Sequence, residues 1–255
     1  MTVTFETYLI ICPLLFLAGF IDAIGGGGGL ISLPAYLFAG LPPHMAIGTN
    51  KLSSACGTSL VTLKLVKNRM VNAKLAVPSI IMAFLGAGIG AKLSLLVNEK
   101  ILYLCIIALL PLCAFVVLNK KLFSDNSATG DINSRRTLIV VCIAAFIIGL
   151  YDGFYGPGTG TFLIIAFTVF AKIAIQNANA QAKVINLTTN ITALTVFFLN
   201  GQVLIWLGLA GAVFNMIGGY IGVNLMLKNG SKIVRPTIIL VLAILFAKVL
   251  IEFFK

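Results

Sequence analysis

Four ionisable residues stand where an apolar chain should carry none. Asp22, Asp152, Lys51 and Lys183 each lie within a long hydrophobic run. A charge at the centre of a membrane helix costs roughly 3 kcal/mol, so such a residue is a functional hypothesis by default. Asp22 and Asp152 could carry a coupling proton or gate a path. They could equally cap the helix that follows and hold an irregular backbone through local hydrogen bonds, and the two roles are compatible. Lys51 and Lys183 lie about two turns inside their segments. Left open, each would draw an anion; paired with Asp22 or Asp152, each would satisfy a buried carboxylate; a long snorkel to the surface is the third reading.

Both aspartates open onto glycine. Asp22 precedes five in a row, Gly25 to Gly29, and Asp152 precedes Gly156-Pro-Gly158-Thr-Gly160. Each glycine costs a helix roughly 1 kcal/mol relative to alanine, so neither stretch stays regularly helical. An irregular backbone at membrane depth must be buried in protein or line a wet cavity. Where such a loop opens a helix, its N–H groups and the helix dipole favour an anion. Gly26, Gly27, Gly28, Gly156 and Gly158, with Lys51, Lys183 and Asn186, are therefore the expected contacts of a small anionic substrate. Asn50, Ser53, Ser54, Thr189 and Asn190 continue that polar face, as substrate contacts or as interhelical glue. Gly86-Ala-Gly-Ile-Gly90 and Gly218-Gly-Tyr-Ile-Gly222 read instead as close helix packing. The first glycine run lacks the Gly-Lys-Ser/Thr ending of a Walker loop and the strand–helix setting of a dinucleotide site.

The elements that must hold these residues are membrane helices. Of 255 residues, 60% are hydrophobic and 10% charged, and the mean hydropathy is +1.08, too apolar for a soluble domain. Ten apolar segments run from 7 to 253, at 7–24, 28–40, 44–66, 73–96, 100–119, 137–155, 159–171, 177–199, 203–227 and 232–253. A spanning helix needs about 20 residues. Segments 28–40 and 159–171 are shorter, leaving full crossing and re-entry both open. Met1 to Glu6 is not a basic leader, and no removable signal peptide is expected. Five scattered cysteines (Cys12, Cys56, Cys105, Cys113, Cys142) give no disulfide or metal framework. His44 reads as an interfacial helix-start residue. No cofactor, metal site or catalytic set is expected, and hence no enzyme.

The chain also repeats itself. Asp22 and Gly26 match Asp152 and Gly156 at an offset of 130; Lys51, Gly86 and Gly90 match Lys183, Gly218 and Gly222 at 132. One small gap near Leu41-Pro-Pro-His absorbs the difference, which makes an internal repeat. The domains are then a first repeat, 1–119, a cytoplasmic linker, 120–136, and a second repeat, 137–255. Twelve basic residues fall on connections after odd-numbered segments and four on the even ones and the C-terminal end. This puts the odd connections in the cytoplasm and both termini outside. Equivalent connections carry opposite bias, as repeats of inverted orientation require. The fold expected is an all-α polytopic membrane protein of two inverted repeats, about five segments each, with glycine-broken or re-entrant segments. Paired breaks at corresponding places point to a transporter's midplane site.

The stretches IDAIGGGGGLISLP, AIGTNKL, YDGFYGPGTGTF and NAQAKVINLTTN resemble the sulfite exporter TauE/SafE family of bacterial membrane transporters, and the likeness extends over nearly the whole chain. The resemblance implies an inner-membrane carrier with two related halves, exporting a small anion such as sulfite, an organosulfonate or a carboxylate. Pro157 and Thr159 replace glycines of the first stretch, so the halves need not contribute equally. The reading adopted is a secondary transporter working by alternating access, proton-coupled through Asp22 and Asp152. The rivals are an anion channel and a non-transporting membrane assembly partner. Expected partners are the anion and the lipid bilayer, with no nucleic acid; a homo-oligomer is left open.

Overall fold

A computed structural model describes residues 5–98 and 132–253. The expected fifth segment, 100–119, and most of the linker, 120–136, lie outside the described residues, as do Cys105 and Cys113. Among the described residues every regular element is a helix: α1 (Phe5–Gly25), α2 (Gly29–Phe38), α3 (Pro43–Lys67), α4 (Ala73–Leu96), α5 (Arg135–Phe154), α6 (Thr159–Val169), α7 (Ile175–Leu199), α8 (Ile205–Asn229) and α9 (Ser231–Phe253). Local chemistry sets several ends. Pro43 opens α3 where a missing N–H costs nothing. Asn72 caps α4, its side chain accepting from Lys74 N and Leu75 N. Ser134 caps α5 by accepting from Thr137 N at 3.1 Å. α1, α4, α5, α7 and α8 are long and apolar enough to cross a membrane. Ile139, Ile143 and Ile147 on α5, and Val213, Ile217 and Ile221 on α8, form exposed stripes at helical spacing. Such stripes suit a lipid-facing surface. The protein is a multi-pass membrane protein.

Cross-contacts give the helix directions. The start of α8 meets the start of α3, where Leu204 N donates to Thr49 Oγ1 at 3.0 Å. Their ends meet where Lys64 donates to Asn224 Oδ1, so α3 and α8 run parallel. α3 and α7 run antiparallel: Gly48 lies against Phe197, and the Thr62 hydroxyl donates to the Lys183 carbonyl at 3.2 Å. The glycines read as packing residues do pack. A methyl on Gly86 or Gly90 would strike the backbone of Phe146 or Leu150 in α5, and one on Gly218 or Gly222 would strike that of Phe16 or Phe20 in α1. The two interfaces, α4 on α5 and α8 on α1, are equivalent in the repeat. Each joins the first helix of one repeat to the fourth of the other.

Since α1 runs parallel to α8, and α8 to α3, α1 and α3 start at the same end of the molecule. The chain must double back between them, and α2 does this. At 10 and 11 residues, α2 and α6 are about 15 Å long, half the hydrocarbon thickness. Each lies beside the long helix before it. One end of the molecule thereby collects Lys64, Lys67, Arg69 and Lys74 at the α3–α4 turn, Arg135 and Arg136 at the start of α5, Lys172 before α7, and Lys228, Lys232 and Arg235 at the α8–α9 turn. His44, the second residue of α3, is at the other end, its Nε2 2.9 Å from the Ser94 carbonyl of α4.

Candidate functional site

Both glycine breaks need conformations that side chains resist. Gly26 has φ +82°, Gly156 φ +100° and Gly158 φ +85°, values at which only glycine rests without strain. The breaks also touch. A Cβ on Gly26 would overlap the backbone of Gly160 and Thr161, Thr161 N donates to Gly26 O at 3.2 Å, and its hydroxyl donates to Gly25 O at 2.7 Å. The starts of α2 and α6 therefore converge at one point.

Around that point the four charges pair crosswise between repeats. Lys51 Nζ stands 2.9 Å from Asp152 Oδ2, with both side chains 2% exposed. Lys183 Nζ stands 2.7 Å from Asp22 Oδ2, the side chains 0% and 17% exposed, and also donates to the Asp22 carbonyl. Lys51 and Lys183 are each the ninth residue of their helix, so a register shared by both repeats sets them at matching depths. An ion in hydrocarbon without its partner is far more costly than the pair, which makes the pairing obligatory in this closed arrangement. Local bonds fix the carboxylates further. Thr159 Oγ1 is 2.7 Å from Asp152 Oδ1 and 2.6 Å from Gly156 O, while Gly28 N reaches Asp22 Oδ1 at 3.4 Å.

Between the two pairs lies a cavity of about 20 Å³, room for about one water molecule. Its wall is built from repeat-related positions: Asp22 with Asp152, Gly26 with Gly156, Gly28 with Gly158, Ser54 with Asn186, and Thr58 with Asn190. Lys51, Asn50 and Asn215 complete it. Gly29, Gly158 and Gly160 also face it, and none of their N–H groups donates to another described residue. The wall thus holds two carboxylates neutralised by ammonium groups, free amide donors, and two helix N-termini. Because each N-terminus is equivalent to roughly half a positive charge, the balance favours an anion.

Of the residues expected from sequence, Asp22, Gly26, Gly28, Lys51, Asp152, Gly156, Gly158 and Asn186 come together at this cavity. Gly27 does not: it faces Val241 of α9. Lys183 sits behind Asp22, fully buried, outside the cavity wall. Sequence reasoning missed Thr58, Thr159, Thr161, Asn179 and Asn215. Asn179 donates to the Ala23 and Ile24 carbonyls at 3.3 and 3.1 Å, closing the end of α1. Its signal in the sequence was weak, one amide in a helix start rich in amides; Asn215, a lone amide in an apolar run, was more visible.

Comparison with known proteins places this arrangement. The family model described as Sulfite exporter TauE/SafE matches residues 11–249, from within α1 to within α9. The chain belongs to the TauE/SafE sulfite exporter family. Among its relatives, Probable membrane transporter protein ORF9 of Sinorhizobium sp is 36% identical, covering 89% of this chain and 85% of the relative. Probable membrane transporter protein YfcA of Escherichia coli (strain K12) is 34% identical over 98% of this chain and 94% of its own. A probable membrane transporter protein of Haemophilus influenzae is 32% identical over 93% and 92%. No solved structure matches the chain. As a TauE/SafE member the protein is a membrane transporter, and the cavity between the crosswise ion pairs is its candidate site.

Proposed function

We propose that the protein is a secondary carrier that exports a small oxyanion, such as sulfite, an organosulfonate or a carboxylate, across the bacterial inner membrane by alternating access. One observation carries the reading: two half-helix N-termini and two Lys–Asp pairs from opposite repeats converge on one small cavity. The anion binds to the free amides of the glycine breaks and to Lys51, with Lys183 holding Asp22 in place. A cavity the size of one water is too small for sulfite, so binding requires the two breaks to part, and a parting that differs in direction gives access to either side. The closed volume favours this carrier over a channel, which needs a continuous wet path. Asp152 accepts a coupling proton as Lys51 turns to the anion, and Asp22 gates the path or carries a proton in its turn. The two repeats are inverted: the antiparallel run of α3 and α7, which occupy equivalent places, supports this. The end rich in Lys and Arg is cytoplasmic, so both termini are periplasmic.

The test is counterflow in proteoliposomes with sulfite, organosulfonates and carboxylates, with and without a pH gradient. Saturable exchange of one of these anions, accelerated by the gradient, is expected. Flux of none of them, or currents beyond carrier turnover, would overturn the reading. The double variant Lys51→Gln/Asp152→Asn, which strands neither charge, should abolish exchange while leaving the protein folded in detergent.

A further inference from the structure

Two grooves open sideways from the molecule, one between α3 and α8, the other between α4 and α7. Their volumes are similar, about 470 and 530 Å³, and their walls are repeat-related position by position. Leu60, Leu63, Met216 and Tyr220 line the first; Thr192, Thr195, Phe84 and Gly88 stand at the equivalent places in the second. Both are apolar slots on the flank of the bundle, the size of acyl-chain segments. They differ at one end. Lys64 and Lys67 close the α3/α8 groove, where the other repeat has Val196 and Leu199.

The lysine end is organised. Lys64 lies 4.0 Å from the centroid of the Tyr220 ring and donates to Asn224, which holds its ammonium at the groove mouth with donor capacity to spare. Lys67 is exposed one turn further on. Neither has a carboxylate partner among the described residues. Both sit at the basic end of the bundle, the depth at which phospholipid headgroups lie. Apolar walls below and two unpaired ammonium groups above match the two parts of an anionic phospholipid. They match a soluble anion or an apolar protein helix less well, since the first leaves the slot empty and the second leaves the ammonium groups unanswered.

We infer that the α3/α8 groove is a specific site for an anionic phospholipid, its phosphate held by Lys64 and Lys67 and one acyl chain lying along Leu60, Leu63 and Met216. The α4/α7 groove, with only Lys92 at the opposite end of its helix pair, is the built-in control and takes bulk lipid without headgroup preference. The wall shared with the site gives the lipid a consequence. Asn215, beside Met216, faces the transport cavity, so a chain wedged between α3 and α8 presses on the helix that carries Lys51.

The inference stands independently of which anion is transported, and its test needs no transport. The full-length protein in neutral detergent is titrated with phosphatidylglycerol or phosphatidylcholine of identical acyl chains, and with glycerol phosphate as the headgroup alone. Bound lipid is read by native mass spectrometry. Phosphatidylglycerol should bind preferentially, and glycerol phosphate should not displace it. The variant Lys64→Gln/Lys67→Gln should weaken it about thirtyfold, since each lysine near an anionic headgroup contributes about fivefold. Lys92→Gln should change nothing. Leu60→Trp, which fills the slot and keeps both lysines, should also expel the lipid, so a poorly folded double variant does not leave the question without an answer. Equal binding of both lipids, an equal loss with Lys92→Gln, or a stable dimer that closes the groove in the absence of lipid would overturn the assignment.

Discussion

The two Asp–Lys pairs occupy equivalent places in the repeat yet are held differently. Asp152 is sealed: Lys51 takes one oxygen, the Thr159 hydroxyl lies against the other, and the side chain is 2% exposed. Asp22 is held by Lys183 and by one long contact from Gly28, and is 17% exposed. The difference follows from composition. Position 159 carries a threonine where the first break has Gly29, and Pro157 stiffens a loop where the first break has Gly27. One carboxylate is thus held at both oxygens and the other more loosely, so under the proposed carrier cycle the Asp22 side is the one expected to yield first.

Three comparisons test that contrast. The largest effect belongs to Asp152→Ala, which strands the Lys51 ammonium in a dry interior. A loss of about 3–5 kcal/mol is expected, read by denaturant unfolding in detergent micelles. Asp22→Ala should cost less, because that pair is less deeply buried, at 17% exposure of the carboxylate. Equal losses would erase the distinction between a sealed pair and a yielding one. Next comes Gly26→Ala. It carries a left-handed backbone cost of about 1–2 kcal/mol, and a direct clash with the backbone of Gly160 adds about 1–3 kcal/mol more. Gly201→Ala is the matched control, with φ +69° and nothing within 4 Å of the added methyl. If both lose the same stability, the breaks are not in contact. The smallest effect is Thr159→Val. Removing a hydroxyl from beside a carboxylate should cost about 1.5–3 kcal/mol, and should bring the pH dependence of exchange closer to one set by Asp22-like exposure on both sides. An unchanged pH profile would mean that the hydroxyl does not seal Asp152.

Much of this arrangement is legible in the sequence, because membrane helices announce themselves by length and because glycine runs and intramembrane charges are rare. The offsets of 130 and 132 that pair Gly86 with Gly218 and Gly90 with Gly222 reappear as equivalent helix contacts. Partner choice was not legible. Nothing in the spacing tells whether Lys51 meets Asp22 or Asp152, since that depends on how the repeats interlock. Nor does composition tell that Gly27 turns to Val241 while its neighbours face the cavity, because direction within an irregular backbone is set by tertiary packing. The hydroxyls of Thr159 and Thr161 were invisible for a related reason: each works on a group that only folding brings near. The short segments form helices of 10 and 11 residues, about half the length that a crossing takes.

The crosswise pairing also has a consequence for biosynthesis. Asp22 leaves the ribosome 161 residues ahead of Lys183, a gap of roughly ten to thirty seconds at ordinary elongation speeds. During that interval α1 has neither its counter-ion nor α8, against which Phe16 and Phe20 finally rest. Until the second repeat is made, the first lacks the contacts that complete it. A chain that stops short of Lys183 lacks the ammonium group that holds Asp22 in the finished protein.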